Sequence, residues 1–158
     1  MKRAQAALEF IMTYGWAVLV LLVMIGALAY FGVTNPTKLI PEKCLFEAGF
    51  GCTDYRATVS GTSLRIQFAL ENKAGDSVAF QRINASTTRG GVTYSVNCTQ
   101  TPTGWIDPDA VPIFNCMLAA GSSPGVGQNA KINVQLNYTT GRGVFSRTSS
   151  GEIQTSVQ

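Results

Sequence analysis

Lys2, Arg3 and Glu9 stand at the edge of a long uncharged run, and Cys44, Cys52, Cys98 and Cys116 stand beyond it. A basic pair beside an apolar stretch is a topology signal. A carboxylate at the border of a bilayer helix is costly unless it is partnered, so Glu9 is a functional candidate. Four cysteines can close two disulfides, in three possible connectivities. The chain has no His, which removes the commonest general base and metal ligand. The other acids run from Glu42 to Glu152, and only Asp107-Pro108-Asp109 sets two side by side. Such a pair could hold a hard cation, but on a proline turn its commoner role is the turn itself. There is no Gly-x-Ser-x-Gly elbow and no Cys-x2-Cys pair. The inventory reads as a chain that is not an enzyme and uses no cofactor and no metal.

The elements that position these residues follow from composition. The chain has 158 residues, with 12 Lys+Arg against 9 Asp+Glu, a formal charge of +3. That is too weak and scattered for a nucleic-acid partner. At 46% hydrophobic the chain is no acidic disordered segment either. Charged residues are 13%, against ~25% in ordinary soluble domains. The shortage is local, because Phe10 through Thr37 carries no charge at all. A helix over Phe10–Val33 would span ~36 Å, more than the ~30 Å hydrocarbon core. It is apolar on all sides, as a membrane span is. Thr34-Asn35-Pro36 predicts its end. Lys2 and Arg3 predict a cytoplasmic amino terminus and an external carboxy terminus. The core is too long for a cleaved secretory signal peptide. A plain signal anchor fits the length, and Glu9 is what argues for more.

The stretch Lys2-Arg3-Ala4-Gln5-Ala6-Ala7-Leu8-Glu9-Phe10 resembles the class III signal sequence of archaeal type IV pilin-like proteins. Ile11-Met12-Thr13-Tyr14-Gly15-Trp16-Ala17 also looks like archaeal members. Ala7 departs from the pattern, which often has Ser there, a small-for-small change. The resemblance covers about the first 33 residues. It implies cleavage by a prepilin peptidase between Ala4 and Gln5, so that Gln5 becomes the first mature residue and Glu9 the fifth. Residues 1–4 are then a discarded leader and 5–34 an assembly helix. Loss of Lys2 and Arg3 lowers the formal charge from +3 to +1 and frees an α-amine at Gln5. The resemblance implies that Glu9 meets the free amine of a neighbouring subunit during assembly. The bland alternative is an interfacial carboxylate at the positive end of the helix. Gly26, Ala29 and Gly32 would permit close helix approach, although small residues are common in any membrane helix.

Residues 35–42 read as a linker and 43–158 as a separate domain. From about Glu42 charges return and apolar residues alternate. Leu64, Ile66, Phe68 and Leu70 share one face of a strand over Ser63–Glu71. Further strands are expected over Ser77–Ile83, Val92–Cys98, Val111–Leu118 and Ala130–Thr139, with Pro112 confining its strand to an edge or a start. Val144–Thr148 and Glu152–Val157 read as a last strand or a pair, broken at Ser149-Ser150-Gly151. Six or seven short strands without a helical period predict a β-sandwich of about 110 residues. The fold expected is α+β: a long amino-terminal hydrophobic helix, then an antiparallel β-sandwich. The resemblance implies an immunoglobulin-like topology and a lollipop-shaped subunit. Ala119–Gly127 reads as a flexible loop, not a phosphate cradle.

All four cysteines lie on the predicted outside. The nearest-neighbour pairings, Cys44 with Cys52 and Cys98 with Cys116, are favoured, with metal binding and free thiols as the alternatives. Three Asn-x-Ser/Thr sequons make Asn84, Asn97 and Asn137 candidate glycosylation sites. Asn137 must face solvent, and its parity opposes Leu136 and Tyr138. A glycan on Asn97 needs room beside Cys98. Trp105 could stack on a sugar, though a loop aromatic folded over the core is commoner.

The function expected is a structural subunit of an extracellular archaeal type IV pilus-like filament used for surface adhesion. Its partners would be further copies of itself in a helical homo-oligomer, the prepilin peptidase, the membrane before assembly, and a surface or host-cell adhesion target, with no nucleic acid. The alternatives are an archaellin (a motility filament subunit), a minor pilin, or a membrane-anchored surface binding module that never polymerises.

Overall fold

The computed structural model of the chain describes residues 2–30 and 41–158. They fall into two compact units, Met1–Leu39 and Ile40–Gln158. In the first, helix α1 runs Lys2–Tyr30. Its sequence is rich in Ala and Leu and has no proline, so nothing interrupts it. From Met12 to Tyr30 its large apolar side chains are exposed, among them Trp16, Leu22 and Leu28. The expected stop at Thr34-Asn35-Pro36 and most of the expected linker lie outside the described residues.

The second unit is built from antiparallel strands: β1 Lys43–Phe46, β2 Phe50–Ser60, β3 Ser63–Asn72, β4 Val78–Arg89, β5 Val92–Asn97, β6 Thr99–Thr101, β7 Trp105–Ile106, β8 Ile113–Met117, β9 Asn129–Thr140 and β10 Arg147–Ser156. A six-stranded sheet has the order β1-β10-β9-β4-β5, with β7 also pairing β4. A four-stranded sheet has the order β2-β3-β8-β6. Alternation sets the inner faces. On β3 Leu64, Ile66, Phe68 and Leu70 are buried, and on β9 Ile132, Val134, Leu136 and Tyr138. Both sets belong to one core, to which each fully buried large side chain contributes ~1.5–3 kcal/mol. Aromatic rings join the sheets: Phe80 of β4 meets Phe114 of β8 edge-on at 5.3 Å, and Phe114 stacks on Phe68 of β3 at 5.0 Å. Gly90 and Gly91 both have positive φ (56° and 80°), as the two-residue turn joining β4 to β5 requires.

The structure departs from the sequence expectation in three places. Among the described residues it has ten strands rather than six or seven. The added ones are β1 and β2, which the expected domain contained without an assigned strand, and the two short pieces β6 and β7. The expected break at Ser149-Ser150-Gly151 is absent, because β10 passes through it unbroken. Gly151 faces inward opposite Phe46 of β1, and the Phe46 ring fills the space a side chain would take. A Cβ at Gly151 would overlap that ring, so Gly151→Ala is expected to destabilise the domain by ~1–3 kcal/mol, read as a lower denaturant midpoint at unchanged slope. Finally, the Ala119–Gly127 tract is tied down rather than loose. Ser122 and Ser123 are buried, Leu64 donates its N–H to Ser122 Oγ at 3.0 Å, and Gly121 donates to the Thr62 carbonyl at 2.9 Å. The small side chains let this backbone approach the start of β3 closely.

Candidate functional site

The amino-terminal candidates all lie on α1. The Ala4–Gln5 bond falls in its first turns and Glu9 follows one turn later. The Glu9 side chain is exposed, and Thr13 Oγ1 donates to the Glu9 carbonyl at 2.8 Å. The Glu9 carboxylate makes no hydrogen bond or ion pair among the described residues. From Met12 to Tyr30 the helix is long and apolar enough to cross a membrane by length and composition, with a mean hydropathy of 2.1.

The chain enters the β unit through β1, a strand of only four residues. It is fastened at both ends to β10. Glu42, just before β1, accepts hydrogen bonds from Ser156 Oγ at 2.5 Å and Ser156 N at 2.9 Å. Glu47, just after it, accepts from Ser150 Oγ at 2.6 Å and Ser150 N at 3.0 Å. Between them Glu152 of β10 pairs with Lys43 of β1 at 2.6 Å and with Lys131 of β9 at 2.8 Å. Each of the three carboxyls is held below the usual glutamate range: Glu42 by the hydroxyl and then the N–H of Ser156, Glu47 likewise by Ser150, and Glu152 by Lys131 and then Lys43. Sequence reading missed this fastening, since the partners are more than 100 residues apart.

The pH consequence has a definite sign. A carboxyl whose folded pKa is depressed stabilises the fold above its unfolded pKa, and that contribution is lost as pH falls through the lower folded value. The attachment of β1 is therefore expected to be full at neutral pH and to loosen below the ordinary glutamate value of 4.5. Amide exchange in Lys43–Phe46, corrected for the intrinsic rate, should speed up from pH 6 to pH 3 more than exchange in β3. Equal change in both strands would refute the assignment. The charges lie at the surface, so the effect is modest and local.

The cysteines form two disulfides, Cys44–Cys52 and Cys98–Cys116, separated by 8 and 18 residues. The first ties β1 of the six-stranded sheet to β2 of the four-stranded one. The second ties the end of β5 to β8.

The three sequon asparagines lie in the six-stranded sheet. Asn84 on β4 and Asn97 on β5 are direct cross-strand partners. Asn137 on β9 is partnered by Arg82 of β4, one outward position along from Asn84. Asp107 and Asp109 sit in a turn after β7. Asp107 accepts from the Ser77 hydroxyl at 3.0 Å, and Asp109 takes φ 62°, a value that short polar side chains tolerate. No cluster of three or more His, Cys, Asp or Glu with metal-binding geometry occurs among the described residues. Trp105 on β7 stands largely exposed beside Ala79.

No protein-family model and no curated protein matches the chain.

Proposed function

We propose that the chain is the structural subunit of an extracellular archaeal type IV pilus-like filament, polymerised through α1 and used for surface adhesion. The observation that carries this reading is α1 itself. It is an apolar helix whose large side chains are exposed from Met12 to Tyr30, with one carboxylate, Glu9, four residues beyond the Gln5 that a prepilin peptidase would make the first. Such a surface needs lipid or other helices around it. The membrane would supply the first before assembly, with the amino terminus cytoplasmic, and neighbouring copies the second after it. Burying Glu9 among helices is costly unless an opposite charge meets it, and the freed α-amine of Gln5 in a neighbouring copy is of the right sign. The β unit would then coat the filament as an immunoglobulin-like sandwich. Two antiparallel sheets about one core support that arrangement. In this reading the protein is mechanical, without catalysis, cofactor or nucleic-acid partner. A strand fastened at both ends where the chain enters the β unit suits a subunit that bears load.

Shearing filaments from cells tests the reading. The chain should be a repeating component of the sheared fraction, and deleting it should abolish those filaments and surface attachment. Recovery only as single chains in the membrane would favour a membrane-anchored binding module. Loss of swimming with attachment unchanged would favour an archaellin, and trace abundance a minor pilin.

A further inference from the structure

The fold brings together three residues that are far apart in sequence. Asn84, Asn97 and Asn137 all lie on the outer face of the six-stranded sheet. Asn84 sits between buried Ile83 and Ala85, and Asn137 between buried Leu136 and Tyr138, so both point away from the core. Asn97 is in register with Asn84 and so shares its face. None of the three is on the four-stranded sheet.

Their surroundings differ. Asn97 is exposed, on the edge strand β5, where the chain leaves one sheet for the other. The next residue, Cys98, is bonded to Cys116 of β8, which pins the chain just after Asn97. Asn97 also borders a shallow depression lined by Gln81, Arg82, Gln100 and Thr103, whose polar groups can hydrogen-bond a sugar. Asn137 is half-buried, but its Oδ1 accepts from the Thr148 hydroxyl at 3.2 Å. N-linked sugars attach at Nδ2, so that hydrogen bond can persist and hold the amide in a presenting orientation. Asn84 lies inside the sheet, flanked by Asn97 on one strand and Gln135 on the other. Its Oδ1 is buried without a hydrogen-bond partner. Facing side chains on neighbouring strands are only ~4.5–5.5 Å apart at Cβ. A sugar on Asn97 fills the space a sugar on Asn84 would need.

We propose that this face is the glycan-bearing face of the protein, with carbohydrate on Asn97 and Asn137 and none on Asn84. The inference rests on the reading that the β unit lies outside the cell. The donor is a lipid-phosphate-linked oligosaccharide. The bond from sugar C1 to asparagine Nδ2 forms as the C1–O bond to the lipid phosphate breaks, and the Nδ2 proton leaves with the lipid phosphate. A bulky group at Asn97 also guards the open edge of β5 against pairing with another sheet.

The test is intact and peptide-level mass spectrometry of the protein from the cells that make it, with N84Q, N97Q, N137Q, T99S and T99A variants. Wild type should carry two glycans. N97Q, T99A and N137Q should each lose one, whereas N84Q and T99S should lose none. T99S against T99A separates loss of the sequon hydroxyl from general disturbance of the strand. Sugar on Asn84, or bare Asn97 in the wild type, overturns the proposal. So does a protein without sugar. The amino-terminal peptide in the same spectra reports Gln5 or Met1, so this inference and the filament reading fail separately.

Discussion

A Glu9→Ala chain is expected to enter the membrane normally and to leave cells almost without filaments. Removing a carboxylate makes the start of α1 more apolar, so insertion should not suffer. Assembly should, because the amine of a neighbouring Gln5 would then be buried among helices without its counter-charge. Removing one partner of a buried pair costs ~3–5 kcal/mol, which weakens subunit addition on the order of 100-fold or more. Glu9→Gln separates charge from shape. It keeps the volume and one acceptor oxygen but loses the negative charge, and should fail nearly as badly. The readouts are the membrane-bound amount of the chain and the yield of sheared filaments from the same culture. Normal filament yield from Glu9→Ala would leave Glu9 as an interfacial carboxylate and remove the assembly role.

The second large effect concerns the disulfides. Replacing Cys98 and Cys116 together by Ser is expected to cost ~3 kcal/mol of stability, and replacing Cys44 and Cys52 somewhat less, ~2.5 kcal/mol. The order follows from the separations, 18 residues against 8, since the longer loop loses more entropy when it is closed in the unfolded chain. Denaturant unfolding of the detergent-solubilised full chain checks both values. The two variants should differ in a second way. Without Cys44–Cys52, β1 is held to β10 by Glu42, Glu47 and the Glu152 pairs, which weaken in acid, so this variant should be the more acid-sensitive of the two. A larger acid effect in the Cys98/Cys116 variant would contradict the role given to β1.

What the sequence made legible was local. Phe10–Thr37 declares itself by the absence of charge, and Glu9 by being the one acid at its border. Strands β3 and β9 declare themselves because a half-buried strand must alternate, as Leu64 to Leu70 and Ile132 to Tyr138 do. Asn137 could be placed on an outward face by parity alone. The hidden parts all depend on pairing between distant segments. Glu42 looks like an ordinary linker acid until β10 brings Ser156 against it from 114 residues away. Gly151 reads as a strand breaker until Phe46 covers it. The short strands β6 and β7 have two or three residues and carry no period, so only their partners β8 and β4 define them. The clustering of the three sequon asparagines is of the same kind, since parity gives a face within one strand while sheet membership needs the register.

In the working protein proposed above, α1 begins at Gln5 and builds a filament. Mass spectrometry of the amino-terminal peptide from filament subunits tests it most directly. The first residue should be Gln5, with Met1 to Ala4 gone. An amino terminus that is intact at Met1 in surface-exposed protein would contradict it and leave the chain a membrane-anchored surface domain.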